Sequence, residues 1–183
     1  MLKEGVRILA IDDSILNRNS GVSLAVGVIG RDGAIEGILS FKATIDGTDS
    51  TDLILNALKK SRFSSQIKLI ALNGVTLSGL NIIDVDLLNR KTGLPILAMT
   101  RKRPRRTYLK RALLHDRKRA EKARLISKLY SRIKTSRMHG YYVQRLGISE
   151  EDSSRFAVRA ASMLRLAHMI ASGVSRGESK GRV

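Results

Sequence analysis

The sequence predicts an α/β fold in which an antiparallel meander of three strands is extended by β-α-β units into one mixed sheet. The first third of the chain holds three strand-length apolar segments joined by short turns. The middle alternates helical periodicity with short apolar runs, and a long basic stretch of helical periodicity follows. With 183 residues, of which 43% are hydrophobic and 4% aromatic, we expect a single domain, residues 1–183, with an aliphatic core.

The first strand of the meander ends in two carboxylates. Its apolar run, residues 6–11, leads directly into Asp12 and Asp13. Carboxylates beside a core need a compensating partner, and hard divalent cations take oxygen ligands. Asp13 is also a common residue type at the start of a turn, so this stretch alone does not decide between a metal site and a turn. Strands at residues 22–29 and 34–45 complete the meander.

Two β-α-β units follow the meander. Apolar residues at helical spacing alternate with short apolar runs, which indicates crossover helices between parallel strands. The predicted elements are a loop at residues 46–52 that carries Asp46 and Asp49, a helix to residue 60, a strand at residues 67–72 that ends in Asn73, a helix at residues 76–88 with Asp84 in its middle, and a strand at residues 94–100.

The second half of the chain is strongly basic. The formal net charge is +18, from 34 Lys and Arg against 16 Asp and Glu. We expect a long basic helix over about residues 105–137, a closing helix over residues 149–171 and a mobile basic tail over about residues 174–183. A solvated helix face would carry mixed charges, so a polyanion is the expected partner, with nucleic acid ahead of an anionic membrane surface. The cations predicted to bind it are Arg101, Lys102, Arg103, Arg105, Arg106, Lys110, Arg117, Lys118 and Lys122.

Composition excludes several classes of site. The chain has no Cys, so it has neither disulfides nor thiolate metal ligands. No apolar run reaches the length of about 20 residues that spans a bilayer, and the N-terminal stretch lacks a signal-peptide cleavage region. We therefore expect a cytoplasmic protein with no membrane segment.

The predicted order of elements matches an RNase H-like fold. In that topology the first and fourth strands are neighbours, so Asp12 and Asn73 would lie side by side at the same edge. The loop that carries Asp46 and Asp49 would approach this edge as well. Oxygen ligands that converge from separate strand ends are what a Mg²⁺ site for phosphoryl chemistry requires, with Mn²⁺ as the alternative ion.

Five stretches of the sequence resemble a known family. They are LAIDDS, TIDGTDST, LNGVTLSGLNIIDVDLL, TGLPILAMTRKRP and LRLAHMIASGVSRGESKGR. Together they cover nearly the whole chain and are similar to the archaeal endonuclease dU family, a distant relative of endonuclease V. The resemblance implies an RNase H-like fold and divalent-metal-dependent cleavage of DNA near a modified base.

The resemblance also implies roles for single residues. Asp12 matches the first-strand metal carboxylate of endonuclease V, and Asp46 or Asp49 takes the place of its second acid. Asn73 stands where endonuclease V has an Asp followed by Gly. His168 matches a histidine of the closing helix near the metal, and Lys102 matches a lysine that contacts phosphate. The implied catalytic set is Asp12, Asp46, Asp49, Asn73 and His168, of which the first four would bind the metal.

The chain departs from the family pattern at two places. Asn73 removes one negative charge from the site, for which Asp13 or Asp84 would compensate. The family usually has Pro-Glu-Pro before LRLAH, whereas this chain has Ala161-Ser162-Met163, which favours continuous helix. Helical periodicity by itself places His168 on a buried apolar stripe, where it would be a core histidine.

The predicted function is that of a metal-dependent endonuclease for DNA repair that cleaves at or near a modified base such as deoxyuridine. A non-catalytic nucleic-acid-binding protein on the same fold and an RNA-directed nuclease are the alternatives, since a contact to the ribose 2′-hydroxyl leaves no motif. A nucleotide-handling enzyme is disfavoured because no P-loop or GxGxxG loop is present. The sequence leaves the preferred base and the oligomeric state open.

Overall fold

The computed structural model describes residues 2–14 and 18–179 and has a mixed sheet as its centre. Seven strands of the described residues form this sheet, a two-stranded hairpin lies beside it, and five α-helices accompany them. The elements are β1 (Arg7–Ser14), β2 (Val22–Arg31), β3 (Ala34–Thr44), α1 (Ser50–Lys60), β4 (Ile67–Leu72), β5 (Thr76–Leu77), β6 (Asn81–Ile82), α2 (Val85–Thr92), β7 (Ile96–Thr100), α3 (Arg106–Ala112), α4 (Arg119–Arg132), β8 (Lys134–Met138), β9 (Tyr141–Leu146) and α5 (Glu150–Arg176).

The strands run in the order β3-β2-β1-β4-β7-β9-β8. The meander β1-β2-β3 is antiparallel, and β4 and β7 are parallel to β1, which confirms the predicted mixed α/β sheet. Strand β1 lies beside β4, with Ile11 level with Leu72. The carboxyl ends of these two neighbouring strands therefore meet at one edge of the sheet.

Each face of the sheet packs against its own set of helices. Alternate residues of β1 belong to two separate apolar clusters, because successive side chains of a strand point to opposite faces. Leu9 and Ile11 pack with residues of α1, α2 and α4. Ile8 and Ala10 pack with α5. The same alternation continues to the end of the strand and sends Asp12 toward α5 and Asp13 toward the other layer.

The predicted helix over residues 76–88 is wrong. Residues 76–82 form the hairpin β5–β6, because Ser78 and Gly79 both have positive φ, at 50° and 84°, which a helix cannot accommodate. Helix α2 starts only after Asp84, whose side chain accepts a hydrogen bond of 2.9 Å from the Leu87 amide. Asp84 is therefore an N-cap rather than a mid-helix residue.

The single long basic helix over about residues 105–137 is also wrong. The helix is interrupted between α3 and α4. In this connection Leu113 is buried, and the Asp116 carboxylate accepts a hydrogen bond from the Lys118 amide at 2.8 Å. After α4 the chain continues as β8, the last strand of the sheet, in which Lys134 and Arg137 are exposed and Ser136 and Met138 are half-buried. Exposed charged residues are typical of an edge strand, and in the sequence they continue the basic composition of α4.

The closing helix α5 is longer than predicted. It continues past the predicted end at residue 171 and ends at Arg176, with Gly177 in a left-handed conformation. The predicted mobile tail therefore begins with helical residues, and residues 180–183 of that tail lie outside the described residues. No helix in the described parts of the chain is both long and apolar enough to cross a membrane.

Lys122 is buried, although the sequence assigned it to the cationic surface. Its side chain has no exposed area, and its Nζ lies 2.5 Å from an Asp116 carboxylate oxygen and donates to the Asp46 carbonyl at 2.6 Å. It therefore joins the start of α4 to the loop after β3. Both acceptors are needed, because removal of either one would leave the buried cation without full compensation of its charge.

We predict that Lys122→Met lowers the free energy of unfolding by about 3 kcal/mol, because Asp116 Oδ2 and the Asp46 carbonyl lose the buried cation that donates to them. Denaturant unfolding measures this effect. Lys118→Met is the matched control, since the Lys118 side chain is exposed and its Nζ donates to the Thr48 hydroxyl; it should cost less than about 0.5 kcal/mol. Equal stability of the two variants would contradict the structural role of Lys122.

Candidate functional site

Three polar side chains meet at the carboxyl edge of the sheet. Asp12 lies near the end of β1, Asn73 follows β4, and His168 lies on α5. The Asn73 amide Nδ2 donates to Asp12 Oδ2 at 3.0 Å, and His168 Nδ1 lies 3.3 Å from the same oxygen. The parallel pairing of β1 with β4 brings the first two together, and the packing of α5 on β1 brings the third.

Asp12 is the centre of this cluster. It is only 5% exposed, and its second oxygen, Oδ1, accepts from the Asp13 amide at 2.8 Å. Both carboxylate oxygens therefore have a donor, as a buried carboxylate requires. The hydrogen bond from His168 to Asp12 favours the charged imidazolium and raises the pKa of His168, and burial of the ring opposes that rise.

His168 is not the core residue that periodicity alone predicts. Its side chain is 46% exposed, and Nδ1 also lies 3.1 Å from the Asp13 carbonyl. Its neighbours on the apolar stripe of α5, Leu164 and Ala171, are buried, so His168 stands where that stripe reaches the open edge of the sheet. Because Nδ1 faces Asp12 and Asp13, the other ring nitrogen, Nε2, is the one that a substrate would meet.

The two acids proposed to compensate for Asn73 have other partners. The Asp13 carboxylate faces the opposite side of the sheet, where the Ser78 backbone and the Ser23 hydroxyl donate to it. Burial, chiefly, raises the pKa of Asp13, and the nearby Asp12 charge raises it further. Asp84 caps α2 and forms an ion pair with Lys128 at 3.2 Å. Neither carboxylate contacts Asn73 within the described structure.

Asp46 and Asp49 make hydrogen bonds to the β5–β6 hairpin and to the end of β3. The Asp46 carboxylate accepts from the Leu80 amide at 2.7 Å, and the Asp49 carboxylate accepts from the Asn81 amide at 2.6 Å and the Thr44 hydroxyl at 2.6 Å. Both acids thus hold the β5–β6 hairpin, on the side of the sheet away from α5. Their assignment as metal ligands stays a prediction, and these contacts give them a structural role.

A metal ion would have few ligands at this edge. Within residues 2–14 and 18–179, no three His, Asp or Glu side chains are arranged to hold a metal ion. Asp12 supplies a carboxylate and Asn73 an amide oxygen that its bond to Asp12 does not use. Mg²⁺ typically takes one or two carboxylates and keeps several waters, so this donor set fits a hydrated cation that is weakly held.

The three residues line an open groove of about 490 Å³. Thr100, the last residue of β7, and Lys102, just beyond it, line the groove together with Arg165 and His168 of α5. Lys102, for which the resemblance implies a phosphate contact, is one of the lining residues of this groove. Arg165 was missed, although its spacing of three residues before His168 places both on the same side of a helix.

Eight of the nine cations that the sequence predicts to bind a polyanion have exposed side chains. The ninth, Lys122, is buried and contacts Asp116 and Asp46. An exposed set of cations on one continuous segment attracts phosphate without base preference. The other eight predicted cations are exposed, and they are Arg101, Lys102, Arg103, Arg105, Arg106, Lys110, Arg117 and Lys118.

Comparisons with known proteins give both a family and a fold. The profile of the family described as Endonuclease dU matches residues 4–175. A UPF0215 protein of Methanosarcina barkeri is 36% identical over 193 residues, which cover 99% of this chain and 96% of the relative. The solved structure of a protein of unknown function from Archaeoglobus fulgidus has a TM-score of 0.82 at 27% identity, over 92% of this chain and 98% of that one.

Two endonuclease V structures are similar at lower identity. Human endonuclease V has a TM-score of 0.63 at 13% identity, over 94% of this chain and 85% of that one. Ciona intestinalis endonuclease V, in complex with a 24mer DNA containing an inosine followed by a ribo-adenosine, has a TM-score of 0.61 at 9% identity, over 96% and 88% of the two chains. At these identities the likeness shows a shared fold.

We predict that Asp49→Ala lowers stability at neutral pH by about 1 kcal/mol, because the Asn81 amide and the Thr44 hydroxyl lose an acceptor. Burial raises the pKa of Asp49, but these hydrogen bonds outweigh it and lower the pKa overall. The lowered pKa means that the contribution is present above the unfolded pKa of about 3.9 and is lost as the pH falls through the folded pKa. Unfolding curves of both proteins should therefore converge in acid.

The matched control is Asp52→Ala. It removes an exposed carboxylate from the first turn of α1, the helix that begins directly after Asp49. It should cost only a few tenths of a kcal/mol. If Asp49→Ala leaves stability unchanged but abolishes metal binding, the structural role is wrong and the ligand role is restored.

Proposed function

Because this chain belongs to the endonuclease dU family, we propose that it is a divalent-metal-dependent endonuclease that cleaves DNA at or near a modified base such as deoxyuridine. The observation that carries the proposal is the convergence of Asp12, Asn73 and His168 in a groove flanked by cations. Residues with only a structural role would not have to line an open groove. A surface that only binds anions would not require a buried carboxylate at its centre.

The topology supports a finer assignment of the fold. The strand order β3-β2-β1-β4-β7, with β2 antiparallel to its neighbours, is the order expected of an RNase H-like sheet. We propose this fold class for the chain. It would explain why the polar residues gather where β1 and β4 end, since ligands of open α/β sheets bind at the carboxyl ends of the strands.

DNA is the proposed substrate class. The Ciona intestinalis protein with a similar fold binds DNA that contains inosine. Here the net charge of +18 and the exposed cations from Arg101 to Lys118 would neutralise several phosphates beside the groove. Such contacts position the backbone and do not read the base, so base selection requires a separate pocket.

Asp12 and Asn73 are the residues that would hold the cation. A bound divalent cation would supply Lewis-acid chemistry at the scissile phosphate. His168 would then lie beside the ligand set, with Nδ1 kept by Asp12 and Nε2 available to hold or release a proton at the reacting oxygen. Lys102 and Arg165 line the groove and would neutralise the phosphate oxygens.

A non-catalytic nucleic-acid-binding protein is the second candidate. Asn73 in place of an acid, and the lack of a three-residue acidic or histidine cluster in the described part of the chain, favour it. The exposed cations suit binding without cleavage equally well. The two functions differ in what they require of Asp12, because only the nuclease depends on its charge for turnover.

We predict that Asp12→Asn reduces metal-dependent nicking of uracil-containing DNA at least about a hundredfold, because it removes the carboxylate that holds the cation. Binding of the same DNA in EDTA should be kept or become tighter, since a negative charge leaves a cationic groove. A labelled panel with uracil, hypoxanthine or no lesion, with Mg²⁺, Mn²⁺ or EDTA and with matched RNA, gives both readouts.

The control is Asp32→Asn. Asp32 is an exposed acid in the turn between β2 and β3, and it pairs with Arg159 of α5. It should leave nicking unchanged. Tight binding by the unaltered protein with no nicking under either metal would overturn the nuclease proposal and leave the binding protein as the function.

We also predict that Asn73→Asp strengthens cation binding. A second carboxylate about 3 Å from Asp12 Oδ2 repels it when no metal is present, and a cation relieves the repulsion. Thermal unfolding should show a lower Tm in EDTA than the unaltered protein and a larger rise of Tm with Mg²⁺. Asn56→Asp makes the same change at an exposed position of α1 and should show neither effect. An equal rise of Tm with Mg²⁺ in all three proteins would rule out a cation at position 73.

A further inference from the structure

Strand β3 forms one edge of the seven-stranded sheet. It is 11 residues long and pairs with β2 on one side, and no other strand of the described chain lies along its outer side. A cavity of about 500 Å³ lies between residues 37–40 of this edge and residues 57–63 at the end of α1. An edge strand leaves backbone N–H and C=O groups unpaired along its length. These groups of β3 are therefore accessible to another chain.

The two edges of the sheet differ in their protection. Natural edge strands are commonly short or carry charges and proline, which prevent pairing with another molecule. The opposite edge, β8, has five residues and exposes Lys134 and Arg137. Strand β3 is more than twice as long, contains no proline and exposes Ile35 and Ile38, and Lys42 near its end is its one exposed charged side chain. Strand β3 is therefore the less protected edge.

A β-bulge turns two isoleucines of this edge to the same face. The register between β2 and β3 shifts by one residue here, so that Gly30 is level with Ile35 and Val28 is level with Ile38. Residues directly opposite each other share a face of the sheet. Val28 belongs to the apolar cluster that packs with α5, and a Cβ on Gly30 would lie 3.2 Å from Met163 of α5. Ile35 and Ile38 therefore both lie on the face that carries α5.

These two side chains lie at an apolar recess. Helix α5 packs over β1 and β2, so β3 lies at the margin of this helix layer. The recess has a volume of about 340 Å³, and its apolar lining includes Ile35, Val158, Met163 and Leu166. Ile35 is 45% exposed, Ile38 57% and Val158 53%. Exposed apolar side chains that cluster beside a recess are typical of a protein–protein interface.

The charge of the chain indicates which partner this edge can accept. Two copies with a net charge of +18 each repel one another over most of their surface. Residues 31–44, however, hold two basic and two acidic side chains, so their net charge is zero. Both acids are paired within the chain, Glu36 with Arg31 at 3.3 Å and Asp32 with Arg159 at 2.8 Å. Two copies can therefore approach at this edge at little electrostatic cost, and a polyanion gains nothing there.

We propose that β3 pairs antiparallel with β3 of a second copy of this chain, and that Ile38 of each copy enters the recess beside Ile35 of the other. Both copies then use the same surface, as two-fold symmetry requires. Pairing centred on residues 36–37 places residue 38 of one copy level with residue 35 of the other. Because β2 is antiparallel to both β1 and β3, the two Asp12 grooves would lie at opposite edges of one continuous sheet, and both would stay open.

Sedimentation velocity of the full chain, freed of nucleic acid, tests the dimer. At about 100 μM chain we expect a species of twice the chain mass of 20.2 kDa, since a small interface binds weakly. Lys60 and Arg62 line the cavity beside β3, so added salt should screen their repulsion and tighten the dimer. Association through residual nucleic acid would weaken with salt instead and would overturn the proposal. A chain that stays monomeric in both low and high salt would also overturn it and leave the edge to a partner of different sequence.

A charge at the centre of the contact should separate the two copies. Ile38→Lys should raise the dissociation constant at least about tenfold, because each dimer would bury two ammonium groups against apolar side chains. The variant should fold, since Ile38 is exposed. Val174→Lys is the matched control, an equivalent change at an exposed apolar residue near the end of α5, and it should leave the dimer intact. An unchanged dimer of Ile38→Lys would show that β3 is not the interface.

Cysteine cross-linking locates the contact, because the chain has no cysteine of its own. A mixture of Ile35→Cys and Ile38→Cys should form an inter-chain disulfide on mild oxidation, since the two positions are level across the proposed pair. Each variant alone should form it more slowly, because its two thiols would lie three residues apart along the strands. Lys134→Cys, at the exposed β8 edge, is the control and should form none. A disulfide in this control but not in the mixture would place the interface at the other edge of the sheet and overturn the proposal.

Discussion

The pleat of β1 separates two neighbouring carboxylates, and the site depends on that separation. Asp12 points to the layer of α5, and Asp13 points to the layer of the β5–β6 hairpin. Each layer then has to supply its own donors: Asn73 and His168 on one side, Ser23 and the Ser78 backbone on the other. The two charges still interact through the sheet edge, because Asp12 contributes to the raised pKa of Asp13. A third carboxylate at position 73 would add to this repulsion, and an amide instead donates to Asp12.

A buried cation fixes the layer that carries the hairpin. Lys122 connects Asp116, in the break between α3 and α4, to the backbone of Asp46. Asp46 in turn accepts from Leu80 in the hairpin loop. This chain of contacts holds α4 and the hairpin together. The loop after β3 therefore connects the hairpin to the helix layer on that face of the sheet.

Sequence reasoning located the sheet well and the small irregular elements poorly. Strand β4 has its predicted bounds, and the β1–β4 neighbourhood that places Asp12 beside Asn73 follows from the order of elements. The hairpin was missed because its strands have two residues each, too short for any periodicity to register. The break at Asp116 was missed because both flanks keep helix-forming, basic composition.

The same limits apply to single residues of the site. His168 has the same helical spacing as the buried residues of α5. It faces the groove because β1, on which α5 packs, ends beside it, and the sequence of α5 does not show this. Lys122 has the side-chain type of a surface residue, and its burial depends on an acceptor that comes from a distant loop.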